Sequence, residues 1–201
     1  MNDERIVWTD LETFGLVPNH DPIIEIGFLI TDLHLNRIGS KHVLVWEDDL
    51  YNYCYDQLVE NAASPNEAVA QPASYVYQMH RHSNLWIEAK QNGIGVVQAE
   101  TELHEWFDEM DINGQDPLAG SSVAFDRGML LAQMERLALR LHYRNIDVSS
   151  VKELCRRYNP EVYAKLETSV FNRKAHRSMS DLDDTISEFR FYRDNFLWVT
   201  K

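Results

Sequence analysis

The sequence is poor in the residues that mark disulfide-rich, fibrous or membrane-spanning proteins. Two cysteines, Cys54 and Cys155, are too few for a disulfide framework or a structural zinc site. Six prolines and eight glycines exclude a collagen-like or low-complexity chain. No long apolar run follows the polar N-terminus, so neither a signal peptide nor a spanning helix is predicted. We therefore expect a cytoplasmic globular protein with reduced thiols.

Positive charge is also scarce. The chain has 19 Lys and Arg against 32 Asp and Glu, a net charge of −13, which argues against tight binding along a long nucleic acid. The charge is uneven: residues 47–116 contain 14 acids against Arg81 and Lys90, whereas residues 127–157 contain seven Lys and Arg against three acids. A local cationic surface on an acidic body suits a short anionic ligand.

The apolar content of 44% over 201 residues is enough for one sizeable core, so we predict a single domain. Hydrophobic periodicity predicts strands at 5–12, 22–31, 38–46, 117–121 and 145–148, and helices at 74–80, 84–91, 97–109, 126–141, 151–158 and 180–195. Ser149 is the predicted N-cap of the helix at 151–158. Residues 47–56 are acidic and irregular in pattern, and residues 62–73, with Pro65 and Pro72, resemble a loop. This order predicts an α/β fold with a mixed sheet between helices.

The first candidate site is the acidic pair Asp10 and Glu12 near the end of the first strand. Side chains two residues apart in a strand project to the same side, so these carboxylates lie together. Hard divalent cations such as Mg²⁺ prefer such oxygen ligands. Taken alone, the pair is equally compatible with a solvated strand end.

Three further candidates lie far from this pair in sequence. Asp126 follows a Gly-Ser-Ser stretch at the start of a helix, where the helix dipole alone would also favour an acid. His176 lies in a cationic segment and precedes Asp181 by five residues. Periodicity does not distinguish Asp181 from Asp183 and Asp184. Four carboxylates and one histidine are the set that two-metal phosphodiester hydrolysis requires.

Together these segments resemble the three motifs of the DEDDh exonuclease superfamily: residues 8–16, residues 120–126, and His176 with Asp181. Within it the chain is similar to the oligoribonuclease branch, on the segments 22–27, 142–149 and 191–193. The resemblance implies an RNase H-like five-stranded mixed sheet flanked by helices. It also marks residues 47–73 as a family-atypical insertion in a single domain that spans residues 1–201.

The resemblance implies an enzyme that removes 5′ mononucleotides from the 3′ ends of dinucleotides and very short RNAs. Asp10, Glu12, Asp126 and Asp181 would bind two Mg²⁺ or Mn²⁺ ions, and His176 would be the general base. By matching positions, further residues would contact substrate: Leu16 and Tyr75 with a base, His80 with a sugar, and Ser122, Arg144 and Ser149 with the 5′ phosphate. Tyr143 would reach into the site of a partner subunit, which predicts a homodimer.

Two departures from the family pattern are visible, Tyr75 for a tryptophan and Phe14 for a hydroxyl residue. Two alternative functions also stay open. One is a DEDDh exonuclease on longer single-stranded DNA or RNA, which the acidic charge and the matched phosphate-binding residues disfavour. The other is a catalytically silent nucleotide-binding module, which the presence of all five site residues disfavours.

Overall fold

The computed structural model describes residues 4–167 and 176–197. In these residues five strands and nine α-helices follow one another in the order β1 Arg5–Thr13, β2 Ile23–Asp32, β3 Arg37–Leu44, α1 Asp48–Ala62, α2 Glu67–His82, α3 Leu85–Asn92, α4 Val96–Glu109, β4 Pro117–Gly120, α5 Ala124–Gln133, α6 Glu135–Ala138, β5 His142–Asp147, α7 Val148–Tyr158, α8 Pro160–Glu167 and α9 Ser178–Tyr192. A π-helical turn, Arg193–Leu197, continues α9. No helix within the described ranges has the length and apolar character needed to cross a membrane.

The strands form one mixed sheet in the order β3-β2-β1-β4-β5. The pairs β1–β2 and β2–β3 are antiparallel, and β1–β4 and β4–β5 are parallel. The predicted hairpin between the second and third strands is therefore confirmed, as is the mixed five-stranded sheet. The parallel strands β1, β4 and β5 direct their carboxyl ends to the same edge, which brings the residues that follow them together.

Alternation along the strands divides the core into two layers. Val7 and Leu11 pack with helices α1 to α6 on one face, and Ile6 and Trp8 pack with α7 to α9 on the other. Because side chains alternate along a strand, Asp10 and Glu12 share the face of Ile6 and Trp8, which α9 covers. The fold thus directs both acids toward the helix that carries Asp181.

The predictions of irregular structure at 47–56 and of a loop at 62–73 were largely wrong, since only residues 63–66 separate two helices there. Helix α1 covers most of the first half, and α2 begins at Glu67 and includes Pro72. Tyr51 explains why α1 forms on an acidic segment: its side chain is fully buried and its hydroxyl donates to the carbonyl of Ile23 at 2.7 Å. Tertiary packing here overrides local preference. Whether residues 47–73 are an insertion relative to the family stays a prediction.

Three predicted boundaries were also wrong. The helix predicted at 126–141 is broken at Met134, whose backbone is non-helical (φ −140°, ψ 56°) while its side chain is buried. The last strand begins at His142 rather than residue 145. Asp147, and not Ser149, caps α7, because its carboxylate accepts a bond from the Ser149 amide at 3.1 Å. The cap therefore lies two residues earlier than predicted.

Candidate active site

Asp10 and Glu12 occupy the carboxyl-terminal end of β1, in the middle of the sheet. The Glu12 side chain is almost completely buried and lies opposite Glu25 of β2 in the antiparallel register. A β-bulge follows between Glu12 and Thr13. Bulges of this kind turn a strand away from its neighbour and re-aim side chains at the rim of a sheet. The pair is thus held at the edge where β4 and β5 also end.

Asp126 reaches the same edge of the sheet from a helix on the opposite face. It lies in the first turn of α5 and is buried, and its Oδ1 accepts a hydrogen bond from the backbone amide of Leu11 at 3.0 Å. Leu11 lies between Asp10 and Glu12, so this bond ties the second motif directly to the first. The role of these acids as metal ligands stays a prediction.

His176 and Asp181 bring the third motif to the same place. One nitrogen of His176, one carboxylate oxygen of Glu12 and one of Asp181 all lie within 4.8 Å of one another. The amide of Asp181 donates to the carbonyl of Arg177 at 3.0 Å, so Asp181 lies in the first turn of α9. His176 itself adopts a left-handed backbone conformation (φ 51°), uncommon for a residue with a Cβ. The chain thus turns sharply immediately before the helix.

The electrostatics of this cluster disfavour negative charge in the absence of a cation. Burial, followed by the charges of Asp126, Glu12 and Asp181, raises the pKa of Asp10 well above its usual value. Burial and the charge of Asp181 likewise raise the pKa of Glu12 to about 8. Burial raises the pKa of Asp126 to about 7, although the Leu11 amide opposes this. Such perturbed carboxyl groups mark functional sites when they cluster at an exposed edge.

This donor set fits divalent metal ions. Carboxylate oxygens are the ligands that Mg²⁺ and Mn²⁺ prefer, and a cation would remove the mutual repulsion of the carboxylates. A single imidazole among four acids suits a hard cation better than zinc, whose structural sites use more nitrogen and sulfur ligands. The residues present therefore fit a divalent metal centre.

One buried acid beside the cluster was not predicted as functional. Glu25 has only 1% of its surface exposed, and it is surrounded by donors. Its carboxylate accepts bonds from Arg177 Nε at 3.0 Å, His42 Nε2 at 2.6 Å and the Ser178 amide at 2.9 Å. Burial raises the pKa of Glu25, but these donors outweigh it and the net pKa is lowered. The signal in the sequence was a lone acid within an otherwise apolar strand, residues 23–30.

Beside His176 runs an open groove of about 800 Å³ along one side of α2. Tyr75 lines it with 63% of its surface exposed, and its ring centroid lies 6.5 Å from that of His176, edge to face. The other described residues that line it include Gln71, Ser74 and Gln78, and none of them is Asp, Glu, Lys or Arg. Leu16, in the loop after β1, is 76% exposed. Both predicted base-contacting residues are thus free to meet a ligand.

His80, the predicted sugar contact, is instead completely buried. Its Nε2 donates to the carbonyl of Thr13 at 2.9 Å, and its Nδ1 lies 3.6 Å from a carboxylate oxygen of Glu12. Burial lowers the pKa of His80 to about 4, so the ring is neutral at pH 7. In this structure His80 supports the end of β1, and its role toward the sugar stays a prediction.

Of the residues predicted to hold a 5′ phosphate, Ser122 and Ser149 lie together where β4 and β5 end, whereas Arg144 lies near the start of β5. Ser122 has a left-handed backbone (φ 57°), and its hydroxyl donates to that of Ser149 at 3.0 Å. Sequence analysis missed Ser121, whose hydroxyl also lies 3.0 Å from that of Ser149. Arg144 and Tyr143 are exposed on β5, with the guanidinium carbon 5.4 Å from the centre of the tyrosine ring. Their roles toward substrate and partner stay predictions.

Phe14 occupies the position where the family usually has a hydroxyl residue. Its buried ring contacts the rings of Trp86, Tyr51 and Trp46 at centroid distances of 4.9, 5.5 and 6.0 Å. The aromatic side chain therefore anchors the end of β1 to α1 and α3 by packing. Aromatic packing, and not a side-chain hydroxyl, thus braces the chain at this position.

Acids from β1, α5 and α9 meet a histidine at one edge of this sheet, an arrangement typical of nucleases that use divalent metal ions. Comparisons with known proteins agree. Residues 62–189 match the exonuclease family RNase_T, a range that contains Asp126, His176 and Asp181. Oligoribonuclease of Marinobacter nauticus is 36% identical over 195 residues, covering 97% of each chain. That of Corynebacterium glutamicum is 35% identical over 195 residues, covering 96% of this chain and 80% of the relative.

Solved structures support the fold. Exonuclease I of Methylocaldum szegediense has a TM-score of 0.67 at 20% identity and matches 97% of this chain. The zinc-bound complex of E. coli exonuclease I with single-stranded DNA has a TM-score of 0.67 at 14% identity and matches 98% of this chain. The chain spans only 41% and 42% of the length of those proteins. At these identities the likeness establishes the fold alone.

The chain belongs to the exonuclease family and, within it, to the oligoribonucleases. By that membership it is a 3′-to-5′ exoribonuclease, a phosphodiester hydrolase of a family that depends on divalent metal ions.

Proposed function

We propose that the protein degrades dinucleotides and similarly short RNAs, with Asp10, Glu12, Asp126 and Asp181 as metal ligands and His176 as general base. The observation that carries the proposal is the meeting of Glu12, His176 and Asp181 within 4.8 Å. The bond from Leu11 to Asp126 adds the second motif to the same edge. Three segments distant in sequence thus form one anionic site with a base beside it.

Two divalent cations, Mg²⁺ or Mn²⁺, held by these carboxylates would supply the positive charge that lowers the barrier for attack on a phosphodiester. His176 accepts the proton of the attacking water at a ring nitrogen. The water oxygen forms the new bond to phosphorus, and the bond from phosphorus to the 3′ oxygen of the preceding nucleotide breaks. The released product is a 5′ mononucleotide.

The neutral groove beside His176 suits the nucleoside at the 3′ end of the substrate. A nucleoside is uncharged, and none of the described residues that line the groove is an acid, Lys or Arg, on a body of net charge −13. The exposed Tyr75 offers an aromatic face for stacking, and Leu16 offers an apolar one. Stacking of this kind tolerates any base, as an enzyme of general RNA decay requires.

Selection for short substrates would come from contacts with the 5′ end of the substrate. Arg144 provides a planar fork for phosphate oxygens, and Ser122 and Ser149 provide hydroxyl donors. A group that holds the 5′ phosphate leaves no room for additional nucleotides upstream. Tyr143 of a partner subunit would complete this end in a homodimer; its side chain is 73% exposed in the single chain.

The compartment proposed is the cytoplasm. Cys54 and Cys155 are both free thiols, as expected in a reducing environment. No part of the proposal requires a membrane or a long nucleic acid as partner.

The test compares hydrolysis of a 5′-phosphorylated 2-mer, 7-mer and 20-mer RNA with Mg²⁺, with Mn²⁺ and with a chelator. We expect the 2-mer to be cut at least about tenfold faster than the 7-mer, and chelation to stop hydrolysis. Arg144→Ala should weaken 2-mer binding and flatten this preference. Arg156→Ala is the matched control, because Arg156 is an exposed arginine of α7 that pairs with Glu153 at 3.0 Å.

A disrupted dimer should also lose 2-mer activity, which Tyr143→Ala with size-exclusion chromatography can test. Equal rates on 2-mer and 20-mer by the unaltered protein would contradict the short-substrate proposal and favour an exonuclease on longer strands. Binding of the 2-mer without hydrolysis in any metal would favour the silent module.

A further inference from the structure

The third motif is anchored to the sheet by a network of charged side chains next to the metal ligands. Arg177, immediately after His176, donates to Glu25 of β2 at 3.0 Å and to Glu88 of α3 at 2.7 Å. The amide of Ser178 donates to the other carboxylate oxygen of Glu25 at 2.9 Å. Two consecutive residues at the start of α9 are thus tied to a single buried carboxylate.

A glycine in β2 leaves room for the start of α9 to lie against the sheet. Gly27 lies two residues after Glu25 on the same face of the strand, and a Cβ added there would lie 2.8 Å from Ser178 Oγ. A larger residue would therefore push the start of α9 away from the sheet. His42 of β3 donates at 2.6 Å to the same carboxylate oxygen of Glu25 that accepts from Arg177.

The anchored residues lie between the two functional residues of the motif. His176 precedes Arg177 and has a left-handed backbone, while Asp181 lies in the first turn that follows. A left-handed backbone conformation is energetically costly for a residue with a Cβ, so it persists only where the surrounding structure enforces it. The orientation of His176 therefore depends on the contacts that fix the residues on either side of it. On the C-terminal side that support is the contact of Arg177 and Ser178 with Glu25.

We infer that Glu25 is a positioning residue: through Arg177 and Ser178 it sets where the His176 ring stands relative to Glu12 and Asp181. This inference rests on the proposed role of His176 as the general base. Glu25 is not one of the proposed metal ligands, and its carboxylate is already occupied by hydrogen-bond donors. Its carboxylate accepts from Arg177 and His42 on one oxygen and from Ser178 on the other. Glutamine at this position would present an NH₂ group to one of these donors and force it away.

The experiment is a double-mutant cycle on the dinucleotide reaction at saturating metal. In the wild-type background we expect Glu25→Gln to lower kcat by about tenfold, the scale found for groups that orient functional ligands, with KM and the metal dependence within about twofold. In the His176→Ala background the same substitution should change kcat by less than about twofold, because the group that it positions is absent.

Equal losses in both backgrounds would overturn the inference, since they would show that Glu25 acts on the fold or on the carboxylates. An unchanged kcat for Glu25→Gln in the wild-type background would overturn it as well. Full activity of His176→Ala alone would show that His176 is not the general base, and the inference would then fail together with the proposed function. This outcome is distinguishable from the two above, in which His176→Ala itself loses activity.

Should Glu25→Gln fail to fold, Glu88→Gln serves instead, because it removes the outer contact of Arg177. It should lower kcat by about two- to threefold, again only when His176 is present. Glu102→Gln is the control: Glu102 of α4 pairs with Lys41 at 3.4 Å and accepts from Gln98 rather than from Arg177, so its loss should leave kcat unchanged.

Discussion

Glu12 and Glu25 are direct neighbours across β1 and β2, and both are buried, yet their surroundings are opposite. Glu25 is met by Arg177, His42 and the amide of Ser178, and its pKa is lowered despite burial. Glu12 has His80 Nδ1 at 3.6 Å, and that ring is neutral because burial lowers its pKa to about 4. The pKa of Glu12 is raised to about 8 by burial and by Asp181.

The difference separates an acid whose negative charge the fold stabilises from one whose negative charge it disfavours. A buried carboxylate is costly unless it is compensated, and the fold compensates Glu25 with its own cation. In the proposed function, a divalent cation from solution would compensate Glu12 instead. The chain achieves both with consecutive residues, since His176 lies against Glu12 and Arg177 against Glu25. Burial alone would not have distinguished them; their donors do.

The largest effect should follow removal of an acid on the uncompensated side. Asp10→Asn, Glu12→Gln, Asp126→Asn and Asp181→Asn should each lower the hydrolysis rate by about 10⁴-fold, because the ligands act as one unit around mutually repelling cations. The rate is measured on a dinucleotide with Mn²⁺, and the fold is checked by circular dichroism. Asp183→Asn is the control: its carboxylate is exposed and pairs with Arg37 at 2.6 Å. A variant that kept more than a tenth of the rate would remove that acid from the site.

The next effect concerns the residue beside Glu12. His176→Ala should lower kcat by on the order of 10²–10⁴-fold, the usual cost of losing a general base, while metal binding is retained. His176→Arg should lose metal binding as well, because it gives Glu12 the kind of built-in cation that Glu25 has. Isothermal titration with Mn²⁺ measures this. Equal Mn²⁺ affinity of the two variants would mean that the surroundings of Glu12 do not depend on this residue.

Much of this candidate site was predictable from sequence, because its residues lie in short motifs whose local spacing is visible in the chain. Asp10 and Glu12 share a face through strand alternation, and the resemblance supplied Asp126, His176 and Asp181 as companions that periodicity alone could not choose. The mixed sheet followed from the order of apolar segments. Helix α1 did not, because Tyr51 stabilises it through a contact with Ile23, distant in sequence.

Sequence could not reveal the role of Glu25 for the same reason. Its partners His42 and Arg177 lie 17 and 152 residues away, and only the folded register brings them together. His80 shows the converse: the resemblance implied a sugar contact, which stays a prediction, and the structure buries the ring against Thr13 and Glu12. Pairing between distant segments decides which polar residues face a ligand and which support the fold.

A smaller effect should appear in the stability of the metal-free protein. The pKa values of Glu12 and Asp126, about 8 and about 7, are raised above their unfolded values. The folded state therefore binds more protons, and stability falls as pH rises from about 4.5 to about 8. With chelator present, Tm should be lower at pH 8 than at pH 5.5, and Mn²⁺ should restore it at pH 8. Glu12→Gln should reduce the fall; an unchanged slope would argue against Glu12 as its source.

The smallest effect should come from Glu25, whose contribution to stability should increase with pH, opposite to that of Glu12. Its pKa is lowered in the folded state, because the donors outweigh burial, so its stabilising contribution is present above the unfolded pKa and lost as pH falls through the folded one. Glu25→Gln should thus lower Tm at pH 7, and the difference from wild type should shrink toward pH 3. In metal-free protein at pH 8, Glu12→Gln should raise Tm and Glu25→Gln should lower it, although the two residues face each other. Thermal unfolding of both variants, with Glu102→Gln alongside, measures this; shifts of the same sign would erase the distinction between the two acids.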